Sequence, residues 1–286
     1  MIGITLPEHD DFAHWRAYAR QLLQAQIAPE QVTWRVGAQD DLFAENKSIP
    51  SAQLSTVTVP ADFFSLANTV SCHKDPQRYA LLYRIAWRLQ TQKKLLHIAM
   101  DDDVWAANQM AKQVGREVHK IKAFVRFREC KCTIDSITVP IFISWFEPKH
   151  YSLKLSAAFF VKRFFNTHWA ILTPYQSLYW DQKKLYIGLG AEKHQAPAED
   201  RIEEFWLTYY AHIFNPARLK VNAMLKEMPR YYWDNLPEAR LIPKLIAQAN
   251  ERKHQMIRAK PTVPVLPSKT QFDREKWLDR LPETKE

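Results

Sequence analysis

The hydrophobic period of the chain changes near residue 120, and that change limits what it can fold into. Before it, apolar residues recur at helical spacing: Phe12, Trp15, Ala19, Leu22 and Leu23 in 10–26, then Tyr79, Leu82, Ile85, Ala86 and Leu89 in 77–90. Pro60 opens a helix over ADFFSLANTVSCH, Asp75-Pro76 starts the next, and Asp101 to Asp103 cap a long one reaching about Lys120. Between them EQVTWRV (30–36) alternates as a strand, and 37–58 reads as a loop. Beyond residue 120, AFVRFREC (123–130) and TIDSITVPIFISWF (133–146) alternate or are β-branched, which predicts an antiparallel hairpin. Residues 150–165 return to helix, strands follow near 168–172, 177–180 and 184–188, and 199–256 is helical between Pro216, Pro229, Pro237 and Pro243. The order predicts an α+β fold: an antiparallel sheet built mainly from the middle of the chain, flanked by N-terminal and C-terminal helices. One domain over 1–257 is expected, made of an acidic helical entry (1–120), a hairpin-rich sheet region (121–190) and a helical region (199–257). Residues 258–286 form a Pro/Lys-rich tail, with a short helix at 271–281.

Composition excludes several functions. The 286 residues include five glycines, and Gly188-Leu-Gly190 is the one close pair, so neither a phosphate-binding P-loop nor a dinucleotide fingerprint is present. Three cysteines, Cys72 and the Cys130-Lys-Cys132 pair, do not supply two separated ligand pairs, and no metal or cofactor is expected. An odd cysteine count without a basic, apolar leader fits the cytoplasm, and no run is long enough to span a membrane. The net charge is +9, which points to a polyanionic partner. Residues 1–60 carry a net −3, whereas 112–168 carry +7 and 201–260 carry +5.

Two constellations follow. In IFNPARLKVNAMLKEMPRYYWDNLPEA, Asn215-Pro216 starts a helix on which Arg218, Asn222 and Lys226 share a side, and Tyr231, Tyr232 and Trp233 come after the stop at Pro229. Such cations hold phosphates, and Tyr232 or Trp233 would stack a base; alternatively the rings plug the core. On the predicted strand 123–130, Arg126 and Arg128 share a face, and pairing brings Trp145 and Glu147 into the same sheet. His119, Arg126, Arg128, Glu147 and His150 then converge, with Glu147, His150 and His119 as candidates for acid–base catalysis. The plain alternative is a solvated face with Glu147 paired to an arginine. Cys72-His73-Lys74-Asp75 reads as a capping segment, and no complete catalytic motif is present.

WRAYARQLL…PEQVTW, DPQRYALLYRIAWRL, HKIKAFVRFRE, WFEPKH, FFVKRF…WAILTP…WD and FNPARLKVNAMLKEMPRYYWDNLPEA together resemble a bacterial family labelled as DNA metabolism or DNA repair proteins. The likeness covers roughly 10–257. Members are encoded beside a radical-SAM protein of DNA modification or repair, and some are fused to a uracil-DNA-glycosylase-like domain. The resemblance implies a DNA context and a radical-SAM partner; it carries no catalytic residues. The expected function is a nucleic-acid-binding accessory protein using Arg126, Arg128, Arg163, Arg218 and Lys226 with Tyr232 or Trp233. The alternatives are a nuclease or glycosylase-like hydrolase centred on Glu147 and His150, and an adaptor for the radical-SAM neighbour.

Overall fold

A computed structural model describes residues 1–37, 57–134, 137–195, 221–247, 249 and 258. The chain opens with β1 (Ile2–Leu6), α1 (Phe12–Gln24) and β2 (Val32–Val36). The two strands pair in parallel, Ile2 opposite Val32 and Leu6 opposite Val36, as strands joined through a helix must. Asp11 caps α1, its carboxylate accepting the His14 N–H at 3.0 Å. α2 (Ala61–Ser71), α3 (Arg78–Arg88) and the 23-residue α4 (Asp102–Phe124) follow, α4 capped by Asp101 at the Val104 N–H.

Trp15, Leu22, Phe63, Tyr79, Tyr83 and Leu89 form a first core among these elements, with Val104 and Ala107 of α4. Its aromatics interlock: the Trp15 ring lies 6.3 Å from Tyr79, and Trp34 meets Tyr83 edge-on at 5.8 Å.

The main sheet comes from the middle of the chain: β3 (Arg128–Ile134), β4 (Ile137–Trp145), β5 (His168–Leu172), β6 (Gln176–Trp180) and β7 (Leu185–Leu189), ordered β3-β4-β5-β6-β7. Three junctions are antiparallel. The fourth, β4 to β5, is parallel, because α5 (Leu153–Arg163) lies between them and carries the chain back to the starting end. Phe146, Leu153, Phe160, Trp169, Ile171 and Leu178 make a second core with Ile121 of α4, Tyr232 and Ile242. Gly190 follows β7 against the backbone of Pro174, where a Cβ would fall 2.2 Å from the carbonyl oxygen. α6 (Val221–Glu227) and two 3₁₀ turns, Arg230–Asn235 and Pro237–Leu241, follow, and residues 242–247 are again helical. Among the described residues no helix is long and apolar enough to cross a membrane.

The fold class is the expected one, and the strands read at 168–172, 177–180 and 184–188 stand within a residue of those positions. α4 corrects one expectation. It continues to Phe124, so the strand begins at Arg128 and Arg126 sits in the connection. The loop read at 37–58 falls mostly outside the described residues, as do Asn215, Pro216, Arg218 and the tail from 259.

Candidate functional site

The charge distribution along α4 and α5 builds a one-signed ridge. From Val104 to Arg128 the chain holds six Lys/Arg and a single carboxylate, Glu117. Glu117 turns inward, 6% exposed, where both its oxygens accept the Tyr232 hydroxyl at 3.0–3.1 Å and one accepts the Lys149 N–H at 2.8 Å. Burial raises the Glu117 pKa despite these donors. The outer side of α4 is left with Lys112, Arg116, His119 and Lys122, all exposed. Residues 150–165 hold no carboxylate, and α5 ends in exposed Lys162 and Arg163. The two helices join through Lys122, whose Nζ lies 5.5 Å from the Phe159 ring centre. Phe159 stands three and four positions before Lys162 and Arg163, hence on their side of α5.

The α4–β3 connection lies against the same end of α5. Phe127 packs edge-on against Phe160 (5.9 Å) and Phe164 (5.3 Å), so the connection that carries Arg126 and Arg128 is held against the C-terminal half of α5. Arg126 turns one guanidinium nitrogen back to the Ala123 carbonyl at 2.7 Å, a cation closing the end of a helix. Arg126 and Arg128 are therefore brought together by the α4–β3 corner, not by a shared strand face. Arg163 belongs to this region, and Lys122, Phe159 and Lys162 join it without having been singled out. The signal for Phe159 and Lys162 was the absence of Asp and Glu from 150–165 beside the i, i+3, i+4 spacing of Phe159, Lys162 and Arg163.

The other candidates separate. Tyr232 is 3% exposed, stacks on Phe146 at 5.5 Å and donates to Glu117, so it has no ring face for a base. Trp233 is half-buried against the second core and donates to the Met228 carbonyl; Tyr231 is the more open ring, with Lys149 Nζ 5.0 Å from its centre. Lys226 is exposed on α6. Glu147 accepts the Trp145 indole N–H at 2.7 Å and lies 3.8 Å from Lys193, a lysine and not an arginine.

His150 faces elsewhere. Its ring lies 4.4 Å from that of His73, where the loop after α2 meets the loop before α5. Each Nδ1 accepts a backbone N–H, from Lys74 to His150 at 3.2 Å and from Asp75 to His73 at 3.1 Å. Both rings therefore carry their proton on Nε2, and that of His73 reaches Gln113 Oε1 at 3.2 Å. Burial, then the neighbouring His73, lowers the His150 pKa to about 4, and burial lowers His73 as well. A neutral imidazole whose acceptor nitrogen is engaged cannot take a proton from substrate, so His150 is not placed to act as a base. Beside the pair, the buried Arg78 donates to the carbonyls of Ser71, Asp75 and His9, and His9 stacks on Tyr151 at 4.2 Å. Lys154 binds Glu8 and Asp10. These polar groups lock the seam between the two cores. Among the described residues no group of three or more His, Cys, Asp or Glu is arranged to hold a metal ion.

The family model of a domain of unknown function, DUF4130, matches residues 76–238, more than half of the chain. The chain belongs to the DUF4130 family. The DUF4130 match runs from just before α3 to the second 3₁₀ turn, so it contains the whole ridge, Glu117, Tyr232 and His150. His73 and Asp10 precede it. No curated protein and no solved structure matches the chain.

Proposed function

We propose that the protein binds nucleic acid through the α4–α5 ridge and the α4–β3 corner, as an accessory protein of DNA metabolism or repair that works with a radical-SAM partner. The DNA context and the partner rest on the sequence resemblance described above. The observation that carries the binding surface is the fate of Glu117: the lone carboxylate of 104–128 is folded inward, leaving Lys112, Arg116 and Lys122 exposed on α4, beside exposed Lys162 and Arg163 of a segment, 150–165, that holds no carboxylate. Each cation set against a phosphate releases a condensed counterion, so affinity should fall steeply with salt.

The test is fluorescence anisotropy with labelled DNA over a salt series, comparing the native chain with the triple variant Lys122→Ala/Lys162→Ala/Arg163→Ala. Loss of three phosphate contacts flattens the slope of log K against log salt by roughly 2–3 on duplex DNA. The substituted side chains are on the surface, so the melting temperature should stay put. Equal slopes for native and variant would remove the ridge from the reading, and salt-independent binding would remove the reading itself.

A further inference from the structure

β7 is the outer strand of the main sheet, with no strand on its far side among the described residues. Edge strands are usually short of apolar side chains or bent away, because their unpaired N–H and C=O groups recruit other strands. Here the opposite holds: Tyr186 is 44% exposed, Ile187 53% and Leu189 91%.

We propose that β7 pairs antiparallel with β7 of a second copy about a two-fold axis at Ile187, joining the two sheets into one. The strand Leu185-Tyr-Ile-Gly-Leu189 is complementary to itself in that register. Ile187 meets its own counterpart, and Leu185 meets Leu189 on the same face of the sheet. On the other face Tyr186, across from Tyr179 within its own sheet, lies beside Gly188 of the second copy. A glycine next to a tyrosine leaves a slot for the ring, and the two-fold axis creates that contact twice. Charge agrees with shape. Lys183 and Lys184 precede β7, and Glu192, 78% exposed at its side chain, follows it. The antiparallel arrangement sets the start of one strand beside the end of the other: Lys184 of each copy lies across from Gly190 of the other, diagonal to Glu192 on the same face. One five-residue strand edge is far smaller than a stable dimer interface, so the association is weak and depends on concentration.

Sedimentation equilibrium of the full chain from low micromolar to near-millimolar concentration tests this. The native chain should pass from one copy to two, and Ile187→Lys, which sets two ammonium groups face to face on the axis, should weaken that step roughly tenfold or more. Gly188→Val separates interface from fold. A Cβ at Gly188 meets only Ser177 Cβ, at an ordinary 3.9 Å, and valine suits a strand, so the monomer should melt no lower while the dimer weakens. Glu192→Lys should weaken the dimer and Lys184→Glu/Glu192→Lys restore it. A native chain that stays a single copy at every concentration overturns the proposal. So does a dimer indifferent to Ile187→Lys and Gly188→Val.

Discussion

His150 shows how one side chain ties stability to pH. Its folded pKa, about 4, lies below the ordinary 6.5, so between those values the unfolded chain binds the proton more readily than the folded one. Stability from this group is complete above pH 6.5 and is lost as pH falls towards 4. His73 shifts the same way, whereas Asp10 and Glu117, whose pKa values are raised by burial, act in the opposite sense. The diagnostic quantity is therefore the difference between the native chain and His150→Asn, whose amide oxygen can still accept the Lys74 N–H. The native chain should lose its advantage over the variant in urea midpoint between pH 7.5 and pH 4.5; parallel curves would mean that His150 does not titrate as described. The sequence named His150 as a candidate but not its neighbour, because 77 positions separate it from His73 and no local period links two loops. Tyr232 was misread for a related reason. A tyrosine beside cations looks alike whether its hydroxyl points to solvent or to a buried carboxylate, and only the fold puts Glu117 under it.

The helices and most strands were readable because capping residues and hydrophobic spacing act over a few positions. Asp101, Pro60 and the Ile137–Trp145 run all lie where local chemistry puts an element boundary or a strand. The end of α4 was not readable, since Ala-Phe-Val-Arg-Phe-Arg satisfies helical and alternating patterns about equally, and packing of Val125 and Phe127 on the second core decides between them. β1 was missed because a single strand at the start of a chain has no meaning until β2 returns beside it. The parallel step from β4 to β5 departs from the antiparallel sheet expected, because α5 lies between the two neighbouring strands, a topological consequence that the strand patterns themselves do not contain. Within α4, Gly115 is exposed and a methyl group there would meet nothing within 4 Å. Gly115→Ala should therefore raise stability by about 0.5–1 kcal/mol, seen as a higher urea midpoint. A lower midpoint would show that the helix needs the glycine for something other than its backbone.

Across the whole fold, the described residues form two apolar centres with a polar seam of histidines, Arg78 and the Lys154–Asp10 pair between them. Sequence charge alone marked the middle of the chain as basic; it took the fold to sort those cations into a ridge on α4 and α5, a corner at Arg126 and Arg128, and the separate position of Lys226. The two centres share one rod. α4 spans roughly 34 Å at the helical rise, giving Val104 and Ala107 to one centre and Ile121 to the other. Melting either centre strips that rod of half its apolar support, and helical cooperativity carries the damage along its length. Indole fluorescence and far-ultraviolet circular dichroism should thus follow one superimposable denaturation curve, and two separated steps would show that the halves let go of each other first. A chain tied in this way has no half that survives alone, so a cut anywhere in the rod should release fragments that no longer hold a shape.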